Sequence, residues 1–66
     1  MNEQEKAIKV ALATCDKSQR WLAKQIGMTP QNLNMRMKRA SLKDADMHNI
    51  AEALGMEWKA EFIEKE

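Results

Sequence analysis

The residues with the most chemistry to offer are three amides, Gln31, Asn32 and Asn34. They stand directly behind Thr29-Pro30 and are followed by Met35, Arg36, Lys38 and Arg39. An amide carries a donor and an acceptor side by side, so it can pair bidentately with adenine N6 and N7. An apolar side chain such as Met35 can meet a thymine methyl group in the same groove. Arg36, Lys38 and Arg39 suit phosphate oxygens better than base edges. Ser18, Gln19 and Thr29 form a second group: each stands at the expected start of a helix, where free N–H groups and the positive helix end attract phosphate. Simple capping by Ser18 is compatible with that role. The amides could equally be solvated helix residues, but their place directly after a cap and a turn favours base readout by Gln31, Asn32, Asn34 and Met35.

Charge points the same way. The chain has 66 residues and a net charge of +1, which alone says little about partners. Between Lys17 and Lys43, however, there are seven basic residues and no acid, so this stretch carries +7 and the remainder −6. A phosphate-binding face on an otherwise acidic body has this distribution. A lysine-rich helix surface with no ligand would have it too.

The elements that position these residues follow from periodicity and punctuation. Asn2 and Glu5 fit a capping box, and Ile8, Ala11, Leu12 and Cys15 recur at helical spacing, predicting a helix over Glu3 to Thr14. Ser18 caps a second helix carrying Leu22, Ala23 and Ile26, which Gly27 stops by tolerating the left-handed conformation. Thr29 and Pro30 start a third, running to about Arg39. Asp44 is the expected cap of a fourth, with Met47, Ile50, Ala51 and Leu54 on one face and Gly55 as terminator. On the third helix, Leu33 and Met37 share the core face. Gln31, Met35 and Lys38 take the opposite one, flanked by Asn32 and Arg39.

Beyond Gly55, Met56, Trp58, Ala60 and Phe62 alternate with charged residues. Strict alternation favours one short strand over Glu57 to Ile63, with a fifth helix as the alternative. A lone strand needs a partner, and the same segment of a second copy is the expected one. Trp58, Ala60 and Phe62 then belong to the dimer interface, with Trp58 and Phe62 covering the ends of the first and fourth helices.

The stretch Gln19 to Met37, QRWLAKQIGMTPQNLNMRM, has apolar residues at its fourth, eighth, tenth and fifteenth positions, a small one at the fifth and glycine at the ninth. Two helices so closely joined must cross steeply, with Ala23 at the closest approach. This pattern resembles the helix-turn-helix proteins of the phage repressor and Cro type, the xenobiotic-response-element-like family. Ser18-Gln19, Thr29-Pro30-Gln31-Asn32-Leu33 and Ile50-Ala51-Glu52-Ala53-Leu54-Gly55 carry the resemblance. One departure stands out: Arg36 occupies a position that is usually apolar in the family, and Met37 takes over the core role.

The resemblance implies a mainly α, compact four-helix domain over residues 1–55, with residues 56–66 as a strand and dimerisation tail. It implies a homodimeric transcription regulator, commonly a repressor, that binds a double-stranded DNA operator in a bacterium or phage. The rival reading is a protein-interaction module on the same fold, such as the partner-binding half of a toxin–antitoxin pair. Acids on the outer face of the third helix would favour that module, and none is present.

Other features lead elsewhere only weakly. Cys15 is the lone cysteine, so no internal disulfide can form, and a cytoplasmic, reducing setting is expected. It reads as a small core residue, not a nucleophile. One histidine, His48, with one cysteine makes a metal site improbable. Met28, Met37 and Met47 have core positions. Trp21 could pack on the first helix or meet a partner. No glycine-rich phosphate loop, carboxylate pair or triad is evident, so neither enzymatic activity, a cofactor, a small-molecule ligand nor membrane association is expected.

Overall fold

The computed structural model describes residues 1–65. Its first helix, α1 (Glu3–Thr14), begins where the sequence places it, with Asn2 Oδ1 accepting from the Glu5 N–H at 2.8 Å. The reciprocal half of the capping box is absent. The Glu5 carboxylate, only 5% exposed, turns instead to Lys9 Nζ at 3.6 Å and Lys38 Nζ at 3.8 Å. Next come α2 (Gln19–Gln25) and α3 (Pro30–Lys38), whose expected caps are both made. Ser18 Oγ accepts from the Trp21 N–H at 3.0 Å, and Thr29 Oγ1 accepts from that of Asn32 at 3.1 Å.

The fourth helix, α4 (Asp44–Ala53), starts differently from expectation. Lys43 occupies the cap position, and Asp44 is the first helical residue. The free Lys43 N–H donates to Asp46 Oδ2 at 3.0 Å, so the acid one turn in satisfies the helix entrance. Asp44 is thereby left for other partners, and its Oδ1 accepts from Trp58 Nε1 at 2.8 Å.

The tail departs further. It forms two strands, β1 (Met56–Trp58) and β2 (Phe62–Glu64), which pair antiparallel with Met56 opposite Glu64 and Trp58 opposite Phe62. Ala60, expected on a strand, sits in the turn between them at φ +65°. That left-handed residue reverses the chain, so strict alternation was the mark of two arms of a hairpin. Strand pairing is satisfied within one copy, and a second copy is not required for it. Among the described residues, no helix is long and apolar enough to cross a membrane.

The core gathers all four helices. Ile8, Leu12, Leu22, Ala23, Leu33, Met37, Leu42, Met47 and Ile50 form one cluster, and Ala11, Ala51 and Met56 a second. Trp58 and Phe62 pack against both, their rings 4.9 Å apart and tilted 54°. They pack on the helices of their own chain, whereas the sequence pattern put them in a dimer interface. Cys15 is half-buried beside Met56, its Sγ 3.7 Å from the Leu54 carbonyl oxygen.

Three helix ends close alike, with an N–H five residues on reaching back to a free carbonyl. Lys17 donates to Leu12 at 2.9 Å, Met28 to Ala23 at 2.8 Å and Ser41 to Arg36 at 2.9 Å. Each closure needs a left-handed residue, supplied by Asp16 (φ +55°), Gly27 (φ +74°) and Ala40 (φ +51°). Alanine is the least suited, since its Cβ makes this conformation cost about 1–2 kcal/mol. Ala40→Gly should therefore raise stability, by up to roughly 1 kcal/mol after the added freedom of the unfolded chain is subtracted. A thermal midpoint higher by a few degrees, read by circular dichroism, is the expected result; an unchanged or lower one would show no strain at Ala40.

Candidate nucleic-acid interface

The angle between α2 and α3 is set by a small residue and a sharp turn. Ala23 is wholly buried between them, and Gly27 takes the chain out of α2 at a conformation that favours glycine. Leu22 and Leu33 are fully buried beside Ala23, and Ile26 and Met28 pack against the same cluster half-buried. Trp21 joins this cluster from its edge, with Lys17 Nζ 4.9 Å from its ring centre.

With Leu33 and Met37 both at 0% exposure, the rotation of α3 is fixed. Gln31, Asn34, Met35, Lys38 and Arg39 are exposed on its other side, Met35 at 44%, and Asn32 and Arg36 lie half-buried at the flank. The expected face is therefore brought together. Gln19 joins it from α2, its Nε2 donating to Asn34 Oδ1 at 3.3 Å. Ser18 and Thr29 are exposed at the two helix starts, and each hydroxyl keeps its proton free to donate after accepting a cap bond.

Electrostatics alter the roles of two cations. Arg36 Nε donates to Asn32 Oδ1 at 3.3 Å, and Arg36 Nη1 lies 3.9 Å from Asp46 Oδ2. The charge expected to serve a phosphate thus has a partner at the entrance of α4. Lys38 shares the Glu5 carboxylate with Lys9, though its side chain stays 63% exposed. Both acids lie outside the acid-free stretch and reach it only through folding. Among the described residues Arg39 enters no ion pair, and Arg20 and Lys24 are exposed on α2.

Elsewhere, His48 Nε2 stands 3.2 Å from Asp44 Oδ2, on the carboxylate that also holds Trp58. A groove of about 490 Å³ runs between α1 and the hairpin, floored by Ala7, Val10, Met56 and Phe62, with Lys6 and Glu61 at its rim. Comparison of the chain with protein-family models, curated proteins and solved structures finds no match.

Asp46 serves two partners of different worth. The bond from the Lys43 N–H closes a helix start, whereas the Arg36 pair is long and partly solvated. Asp46→Ala should cost about 1–2 kcal/mol in urea denaturation, and Arg36→Met, which keeps the aliphatic stem, under about 1 kcal/mol. Equal losses would mean that the ion pair, not the cap, holds the entrance of α4.

Proposed function

We propose that this protein binds double-stranded DNA sequence-specifically through α3 in the major groove, as a small transcription regulator of the helix-turn-helix type that represses by occupying its operator. The observation that carries this reading is the outer face of α3. Gln31, Asn34 and Met35 are exposed there while Leu33 and Met37 are sealed in the core. An exposed methionine beside amides offers a thymine methyl an apolar contact in the same groove.

In this reading Gln31, Asn32, Asn34 and Met35 meet base edges, and Ser18, Gln19, Thr29, Lys38 and Arg39 meet phosphates. Arg36 anchors α3 to α4. The setting is the cytoplasm of a bacterium, free or phage-infected. Gel-shift titrations over a salt series test it. Gln31→Ala should weaken specific binding by about 1–3 kcal/mol and relax preference at one base pair. Arg39→Ala should weaken binding to every sequence and lower the salt slope by about one unit. A chain that shifts no DNA at low salt overturns the reading.

The active form we propose is a homodimer joined at the hairpin. A domain this small has limited core, and two apolar side chains stay exposed: Val10, 57%, in the groove between α1 and the hairpin, and Ile63, 37%, beside Glu57 and Lys59 on the hairpin. Two-fold pairing would set two copies of α3 on half-sites one DNA turn apart, roughly 34–36 Å. Light scattering should give the dimer mass, and Ile63→Lys should lower it to the monomer. A wild-type monomer at high concentration sinks the dimer without touching the DNA reading.

A further inference from the structure

We infer that Asn32 is preset as a hydrogen-bond donor and therefore selects guanine, not adenine, at the base pair it meets. The inference rests on the proposed DNA reading and assigns the chemistry of one position within it.

The geometry begins at α4. Asp46 Oδ2 is held by the Lys43 N–H at 3.0 Å and faces Arg36 Nη1 at 3.9 Å. Arg36 in turn directs its Nε at Asn32 Oδ1, at 3.3 Å, one turn earlier on α3. A guanidinium has donors only, so the Asn32 atom it meets must be the oxygen. The two ends of an amide are otherwise hard to tell apart, and here the neighbour decides between them. Asn32 Nδ2, with two N–H donors and no partner among the described residues, is the end left wholly free for a ligand, while Oδ1 keeps a single lone pair.

Adenine offers a donor at N6 beside an acceptor at N7, and an amide that clamps it must accept as well as donate. One of the two lone pairs of Asn32 Oδ1 is held by a cation that also fixes the turn of the amide. A clamp on adenine must therefore use the other lone pair without rotating away from Arg36. Guanine offers two adjacent acceptors, N7 and O6, and no donor on this edge. A preset –NH2 group matches it. Gln31, exposed and beside Asn32 in sequence, is under no such constraint and keeps both ends of its amide for adenine. The sequence treats these amides as equivalent; their neighbours make them different readers.

The test is selection of bound sites from random duplex DNA with the full chain, then with Asn32→Ala and Arg36→Met, each checked for folding by circular dichroism. The wild-type site should contain a guanine whose preference Asn32→Ala reduces about tenfold. Replacing that base by 7-deazaguanine, which lacks the N7 acceptor, should weaken wild-type binding and leave Asn32→Ala unaffected. This measurement needs no folded Arg36 variant. Arg36→Met should release the amide and bring adenine within a fewfold of guanine at the same position. Several results overturn the inference alone: any other base preferred there, a loss from Asn32→Ala that is uniform over all sequences and so marks a phosphate contact, or an Arg36→Met chain as guanine-selective as the wild type. Enrichment of no site by the wild-type chain overturns the DNA reading and this inference together.

Discussion

Burial of Leu33 and Met37 is the constraint on which the arrangement of this domain depends. The two are four residues apart on α3, both at 0% exposure, and they meet α1, α2 and α4 residues in one cluster. A helix turns about 100° per residue, so pinning two residues on one side fixes every side chain on the other. The exposure of Gln31, Asn34 and Met35 is thus a consequence of apolar packing on the hidden face. Changing either buried residue would disturb the outer face without altering any residue in it. The wholly buried Ala23 serves the same end from α2, since a larger side chain there would push the helices apart.

Rotation alone does not hold a helix only two and a half turns long, and polar contacts from α1 hold its far end. Asn2 caps its own helix through Oδ1 while its Nδ2 donates to the Met37 and Lys38 carbonyls at 2.9 and 3.2 Å. One side chain thereby satisfies the open start of α1 and the open end of α3. Gln4 adds a paired contact to the next connection, donating to the Leu42 carbonyl at 2.9 Å and accepting from its N–H at 3.2 Å. These bonds fix a loop whose Leu42 is buried, so the end of α3 and the connection after it are clamped by a helix remote in sequence.

What the sequence made legible was local. The bounds of α1, the caps Ser18 and Thr29, the turn at Gly27 and the core faces of α3 and α4 all follow from signals within a few residues, and the structure bears each out. What it did not show depends on partners far along the chain. Asp44 looks like a cap because nothing near it reveals that Trp58 will donate to it. Leu42 lies in a connection without periodicity, and only Gln4 and the surrounding core explain its burial. The hairpin was hidden because alternation continues through its turn, and Ala60, the residue that reverses the chain, belongs to no turn-forming type. On the candidate interface, exposure of the outer face was foreseen, whereas the tie between Gln19 and Asn34 was not. That tie joins residues that sequence reasoning put in separate roles.

The electrostatics carry the same lesson to the physics of binding. Counting charges along the chain gives an acid-free stretch of seven cations, which suggests a uniformly positive surface. Folding brings Glu5 to Lys38 and Asp46 to Arg36, so two of those cations face acids contributed by α1 and α4. Long-range attraction for a polyanion is correspondingly weaker than the count implies, because an opposed pair contributes little to the field beyond its own dimensions. The Arg36 pair lies next to Asn32, where a fixed guanidinium does more to orient that amide than to draw in an anion. In the proposed DNA reading, affinity from backbone contacts is thereby limited, and discrimination is left to the few side chains whose orientation the fold has set.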